Sequence, residues 1–210
     1  MRFLLTAFEP FDGTGLNASL EGCHLFLERW SSRPQGRPYG RFDVRFAVLP
    51  VEYGRDTKAV ERALAEGPVD VVLHTGQASG SGEVRVERVA LNLRYPDAAL
   101  AGRALPQQAI EPNGPVGFLS TLPVDDVAAA IRAAGVPAVV SNHAGVYLCN
   151  HVLYQSLRRA AREGARMRVG FLHVPSLPRQ VEEGAPAMEA MQIARAVEAT
   201  LGFLSGSNSG

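Results

Sequence analysis

Short apolar runs alternate with stretches of helical periodicity along the whole chain, and this alternation limits the folds open to it. RFLLTAF (2–8) reads as a buried strand. Residues 19–30 put Leu20, Cys23, His24, Leu27 and Trp30 on one helical face. RFDVRFAVLP (41–50) alternates as a strand, and residues 56–66 read as a helix with Ala59, Val60, Ala63 and Leu64 inward and Gly67 near its end. VDVVLH (69–74) is a second buried strand, and EVRVERVALNL (83–93) a strand with one wetter face. A long irregular segment rich in Pro, Gly and Asn follows (94–118). Residues 124–135 read as a helix, acidic in its first turn and closed by glycine. PAVVSN (137–142) is a strand, 148–163 a helix, MRVGFLHVP (167–175) a strand and 188–203 a last helix, with a flexible tail at 205–210. Such a series packs as helices on both faces of a central sheet, so the expectation is one α/β domain over residues 1–204.

The 210 residues are enough for a sizeable core. Twenty-one basic residues balance twenty-one acidic ones, so no bulk field draws the chain to nucleic acid or an anionic membrane. The N-terminal apolar run ends at Glu9, short of the roughly 7–15 residues of a secretory core. No run approaches the roughly 20 apolar residues of a membrane span. A cytoplasmic protein is expected, and two cysteines, Cys23 and Cys149, then argue against a disulfide framework.

In α/β sheets, sites gather beyond the C-terminal ends of strands. Phe8, Gln77, Cys149 and His173 are expected in such positions. GQASGSGEV (76–84) lacks the third glycine of a dinucleotide loop and reads as a flexible turn. His143, Cys149 and His151 are too few for a zinc site, so no metal or cofactor is expected, and His151 reads as a helix-face or supporting histidine. The arginines of RRAAREGARMR (158–168) suit a solvated helix end. Cys23 shares a face with Leu20, Leu27 and Trp30, the setting of a core thiol.

Cys149 is different. HAG (143–145) before it permits close approach of the chain to a ligand, and an amphipathic helix begins beside it. A helix N-terminus favours thiolate, and its free amides can hold an oxyanion. A nucleophilic cysteine needs a base, for which His173 is the candidate, and a carboxylate to orient that base, for which Glu87 is the candidate. The residues alone leave a buried core thiol open beside a nucleophile.

Five segments go further. SNHAGVYLCNH (141–151), VERVALN (86–92), GFLHVP (170–175), TAFEPFDGTGLNAS (6–19) and GPVGFLSTLP (114–123) resemble the signature segments of the type I pyroglutamyl peptidases, also called pyrrolidone carboxyl peptidases. The resemblance implies a three-layer α/β/α sandwich around a mixed, twisted sheet. It implies a cysteine exopeptidase that removes an N-terminal pyroglutamyl (5-oxoprolyl) residue from peptides through a thioester, without cofactor, often as a tetramer. The family's catalytic glutamate, cysteine and histidine fall on Glu87, Cys149 and His173. Its pocket phenylalanines fall on Phe8 and Phe11, its opening-loop asparagine on Asn17, its glutamine on Gln77, and an arginine assigned near the oxyanion on Arg94. The chain departs from the family pattern at Ala7, Asp12, Ala18, Ser81 and Ala98, changes that bear on substrate affinity and loop order. A neutral lactam calls for an apolar slot with one donor and one acceptor, and the two phenylalanines are candidates for its walls. An amidase for another small cyclic or acylated amine, and a silent pyroglutamyl-binding relative, are the alternatives.

Overall fold

The computed structural model describes residues 1–11, 13, 15–32, 42–95, 107–162 and 167–206. Expectations that fell on Asp12, on Ala98 and on the tail beyond residue 206 lie outside them.

Six of the seven residues of β1 (Arg2–Phe8) are buried, as an apolar run covered on both faces requires. It pairs in parallel with β2 (Asp43–Leu49) on one side and β3 (Val71–Gln77) on the other. β8 (Arg168–Val174) pairs in parallel with β3. β4 (Val84–Glu87) then runs antiparallel to β8, and β7 (Ala138–Ser141) runs parallel to β4. The sheet order is β2-β1-β3-β8-β4-β7, so the six strands form a mixed sheet, as the resemblance implied.

Alternation along each strand sorts the core into two halves. Phe3, Leu5, Ala7, Val71, Leu73 and Leu172 meet α1 (Ala18–Ser31), α3 (Val124–Ala133) and α5 (Ala190–Leu204). Leu4, Phe8, Val72, Val169 and Phe171 meet α2 (Arg55–Ala65) and α4 (Leu148–Arg162). The result is the expected three layers.

Two readings need correction. The buried face of α1 is Ala18, Gly22, Cys23 and Phe26, whereas His24 is exposed and lies edge-on to Phe46. The inward stripe is centred on Gly22 and Phe26 because α5 packs there: a Cβ on Gly22 would run into Ile193. Residues 83–93 are not one strand. The chain leaves the main sheet at Arg88, and β5 (Val89–Leu91) pairs with β6 (Gly117–Leu119) in a separate two-stranded sheet. Arg88 gives its N–H to Ser141 O at 2.7 Å and its guanidinium to Asp125 at 2.8 Å, which holds the break.

Candidate active site

Register brings the site together. Gly76 of β3 lies opposite His173 of β8, and Phe171, two residues earlier, lies opposite Glu87 of β4. All four therefore face the α4 side of the sheet. Glu87 is fully buried, and His173 is 7% exposed. Burying a carboxylate is costly unless it is paired. Here Oε1 accepts the Nδ1–H of His173 at 2.9 Å, while Oε2 has no hydrogen-bond partner among the described residues.

That bond leaves Nε2 of His173 for Cys149, the stronger of the two groups that raise its pKa. Burial alone pulls the histidine towards its neutral form. Negative charge and hydrogen bonding from Cys149, then from Glu87, outweigh burial and raise its pKa from the ordinary 6.5 to about 9. The ring is further packed against Phe171, with centroids 4.6 Å apart.

Cys149 is the second residue of α4. The bond from His151 N–H to Tyr147 O, at 2.9 Å, sets the first turn. The amides of Leu148, Cys149 and Asn150 precede it, at the positive end of the helix dipole. Cys149 lies beyond the C-terminal end of β7, as expected, although β7 runs antiparallel to β8. It reaches the His173 end of the sheet because α4 starts there. Gly145, in the connecting loop, has φ of 78° and open space where a Cβ would stand, so the turn requires a glycine there. A close approach of protein atoms occurs at Gly76, where a Cβ would stand 2.8 Å from Cys149 Sγ. Cys23, in contrast, is fully buried beside Thr75, and burial raises its thiol to about 12.

The remaining expected residues divide. Phe8 is buried at the end of β1, in the same apolar half as Leu148, and Phe11 is 37% exposed. Asn17 caps α1, its Oδ1 accepting from Ser19 N at 3.0 Å and its Nδ2 donating to Glu9 O at 3.2 Å. Gln77 Oε1 accepts from Ala18 N at 2.7 Å and Gln180 Nε2 at 3.2 Å, and its Nε2 donates to Ser176 Oγ at 3.2 Å. The Gln77 side chain is thus a clamp between β1–α1 and the loop after β8. The Arg94 guanidinium lies 4.9 Å from the centre of the Tyr53 ring. Of the departures, Ala7 is buried in the core, Ala18 gives its N–H to Gln77, and Ser81 hydrogen-bonds within its own turn.

Sequence reasoning missed three features. Gly76 is one. Asn150 is another: fully buried, it accepts from Leu91 N and donates to Leu91 O and Leu93 O, each at 2.8 Å, lashing the segment after Glu87 to the helix of Cys149. The third is Asp56, fully buried, whose Oδ2 bonds His151 Nδ1 at 2.7 Å. Asn150 and His151 directly follow Cys149 in the quoted motif, which was the available signal; nothing near Asp56 marks it. A cleft of about 340 Å³ between α2 and α4, lined by Thr57, Ser156 and Arg158 among others, contains none of the three central groups. Among the described residues no group of three or more His, Cys, Asp or Glu is placed to hold a metal ion, and no helix is long and apolar enough to cross a membrane.

Known proteins resemble the chain over nearly its whole length. A family model described as pyroglutamyl peptidase matches residues 1–205. The pyrrolidone-carboxylate peptidase of Streptomyces coelicolor is 39% identical over 204 residues, covering 95% of this chain and 90% of that protein. That of Pyrococcus furiosus is 36% identical over 184 residues, covering 86% and 84%. The crystal structure of Bacillus amyloliquefaciens pyroglutamyl peptidase I superimposes with a TM-score of 0.84 at 27% identity, covering 98% of this chain and 97% of that one. With the fold, the three converging side chains and these matches together, the chain belongs to the pyroglutamyl peptidase family.

Proposed function

We propose that the chain is a cysteine exopeptidase that hydrolyses the bond after an N-terminal 5-oxoprolyl residue, and that Cys149, His173 and Glu87 carry the reaction. The observation that carries this reading is the connected line from Glu87 Oε1 through the His173 ring to Cys149 at the start of α4.

The Cys149 thiolate attacks the 5-oxoprolyl carbonyl carbon, and the amides of the first α4 turn face the oxyanion. As the tetrahedral intermediate collapses, the C–N bond breaks and the Nε2 proton of His173 goes to the leaving amine. The thioester is then attacked by water, which gives a proton to the now neutral His173. Expulsion of the thiolate releases 5-oxoproline and restores the starting pair. Glu87 holds the imidazole by Nδ1 and stabilises its positive charge.

The lactam lies against Phe8 and Phe11, with Asn17 holding the loop between β1 and α1. Since the Gln77 side chain is already engaged, its backbone is the group assigned to the lactam edge. A substrate without the lactam leaves those groups unpaired, which supplies selectivity. Arg94 is assigned to the oxyanion side. The substrates are N-terminally pyroglutamylated peptides, the compartment is the cytoplasm, and the assembly is a homotetramer, checked by light scattering for four times the chain mass.

The test is release of a fluorescent amine from a pyroglutamyl amide by the wild type and by Cys149→Ala under reducing conditions. Turnover by the wild type alone is expected. Turnover by both moves the chemistry off Cys149. No turnover by folded wild type, with another blocked amide cleaved instead, assigns a different amidase; lactam binding without any turnover assigns a binding protein.

A further inference from the structure

Around the first turn of α4 lies a second buried acid–imidazole pair that the reaction above does not use. Asp56, in the first turn of α2, is fully buried and holds His151 Nδ1 at 2.7 Å. Its other oxygen accepts from Thr57 N, also at 2.7 Å, so the carboxylate is fixed at both ends. The His151 ring meets Tyr53 edge-on, centroids 5.0 Å apart at 78°. Tyr53 also meets Tyr147 edge-on, at 5.8 Å and 90°. Tyr147 and His151, four residues apart, share one face of the first turn, so Tyr53 braces one face of the turn that carries Cys149. The Arg94 guanidinium rests over the same Tyr53 ring at 4.9 Å, within cation–π range.

The backbone around Arg94 is stitched to the same turn. Asn150 Nδ2 donates to Leu93 O at 2.8 Å, and Tyr95 N donates to Val146 O at 2.9 Å. These bonds bracket Cys149, one residue after it and three before. The arginine is thereby tethered by its backbone to the nucleophile's turn, and by its head group to Tyr53. A long arginine side chain on a surface has many rotamers, and holding one of them costs entropy unless a platform supports it. Tyr53 is such a platform, and the orientation of Tyr53 is backed by His151 and, through it, Asp56.

We infer that Asp56 and His151 are a positioning pair that, through Tyr53, holds the Arg94 guanidinium facing Cys149. The inference deepens the assignment of Arg94 to the oxyanion side and rests on that reading. It assigns no contact with substrate to Asp56 or His151.

The test reads the charge around Cys149 without needing a substrate. Alkylation rates of the native protein are measured with iodoacetate, an anion, and with iodoacetamide, its neutral analogue. Cys23 does not compete, since it is fully buried with its thiol raised to about 12. A guanidinium facing the sulfur favours the anion, and its removal in Arg94→Ala is expected to lower the iodoacetate-to-iodoacetamide ratio about fivefold. Asp56→Ala and Tyr53→Leu are each expected to lower the ratio by about threefold or more, with the secondary structure retained by circular dichroism. Tyr53→Leu leaves the buried pair in place, so the test survives if Asp56→Ala fails to fold. Asp56→Asn keeps an acceptor for Nδ1–H and is expected to stay within about twofold of wild type. Adding Tyr53→Leu to Arg94→Ala is expected to lower the ratio no further.

An unchanged ratio in Tyr53→Leu or in Arg94→Ala overturns the proposal, as does a double variant whose loss is the sum of the two. A wild type with the high ratio that leaves the pyroglutamyl amide intact is a failure of the functional reading, and the positioning pair stands.

Discussion

His173 is held between opposing forces. Its burial favours the neutral ring, yet the charge of Cys149 and the bond to Glu87 keep it protonated up to a pKa of about 9. That matters chemically, because the proposed first half-reaction needs a proton on Nε2 for the leaving amine. The predicted consequence is a fall in kcat/KM as pH rises through about 9. Glu87→Gln keeps the shape of the side chain and removes its charge. It is expected to retain the fold, to lose about 10²-fold or more in kcat, and to move the basic limb of the pH profile to lower pH, since one of the groups raising His173 is gone. Full activity with an unmoved limb removes Glu87 from the mechanism. Among the described residues the Glu87 carboxylate is held at one oxygen only, so the His173 bond is its main compensation for burial.

Between elements, the decisive contact is β3 against α4 at Gly76. A methyl group there would stand 2.8 Å from both Cys149 Sγ and Phe171 Cζ, so the sulfur and the ring both have to shift. Gly76→Ala is expected to lower kcat/KM by about 10- to 100-fold through misplacement of the nucleophile, at a stability cost of about 1–3 kcal/mol by chemical denaturation. Unchanged kinetics with the expected loss of stability would mean that the displaced sulfur still reaches the substrate. The helices and the main-sheet strands were legible from period, because burial on one or both faces writes itself into the apolar pattern, whereas β6 lies at the end of the segment read as irregular. The break at Arg88 was not read, although alternation lapses there, with Glu87 and Arg88 both polar and Val89, Ala90 and Leu91 all apolar; the chain turns for a distant reason, the bonds from Arg88 to Ser141 and Asp125. Residue types at the site were legible through the motifs, and Asn150 and His151 lay in plain view beside Cys149. Their partners, Leu91, Leu93 and Asp56, were not, because pairings over 57 to 95 residues leave no local trace.

For the molecule as a whole, the raised His173 links folding to proton binding. A folded-state pKa of about 9 against an unfolded value near 6.5 contributes stability in full below pH 6.5, and that contribution disappears as pH rises through about 9. Urea midpoints measured from pH 6 to 10 are expected to fall across this interval, and Cys149→Ala, which removes the principal raising group, is expected to flatten the fall. A slope of equal size in Cys149→Ala places the linkage elsewhere. The sheet order holds one more consequence. β8 follows every other strand in the chain, yet it lies between β3 and β4 at the centre of the sheet. Until it emerges from the ribosome, the nascent chain has two part-sheets with bare inner edges, which are the surfaces chaperones cover and aggregates grow from. The same strand brings His173, so a partly synthesised molecule carries Cys149 without its base, and the nucleophile is armed only by the stroke that closes the sheet.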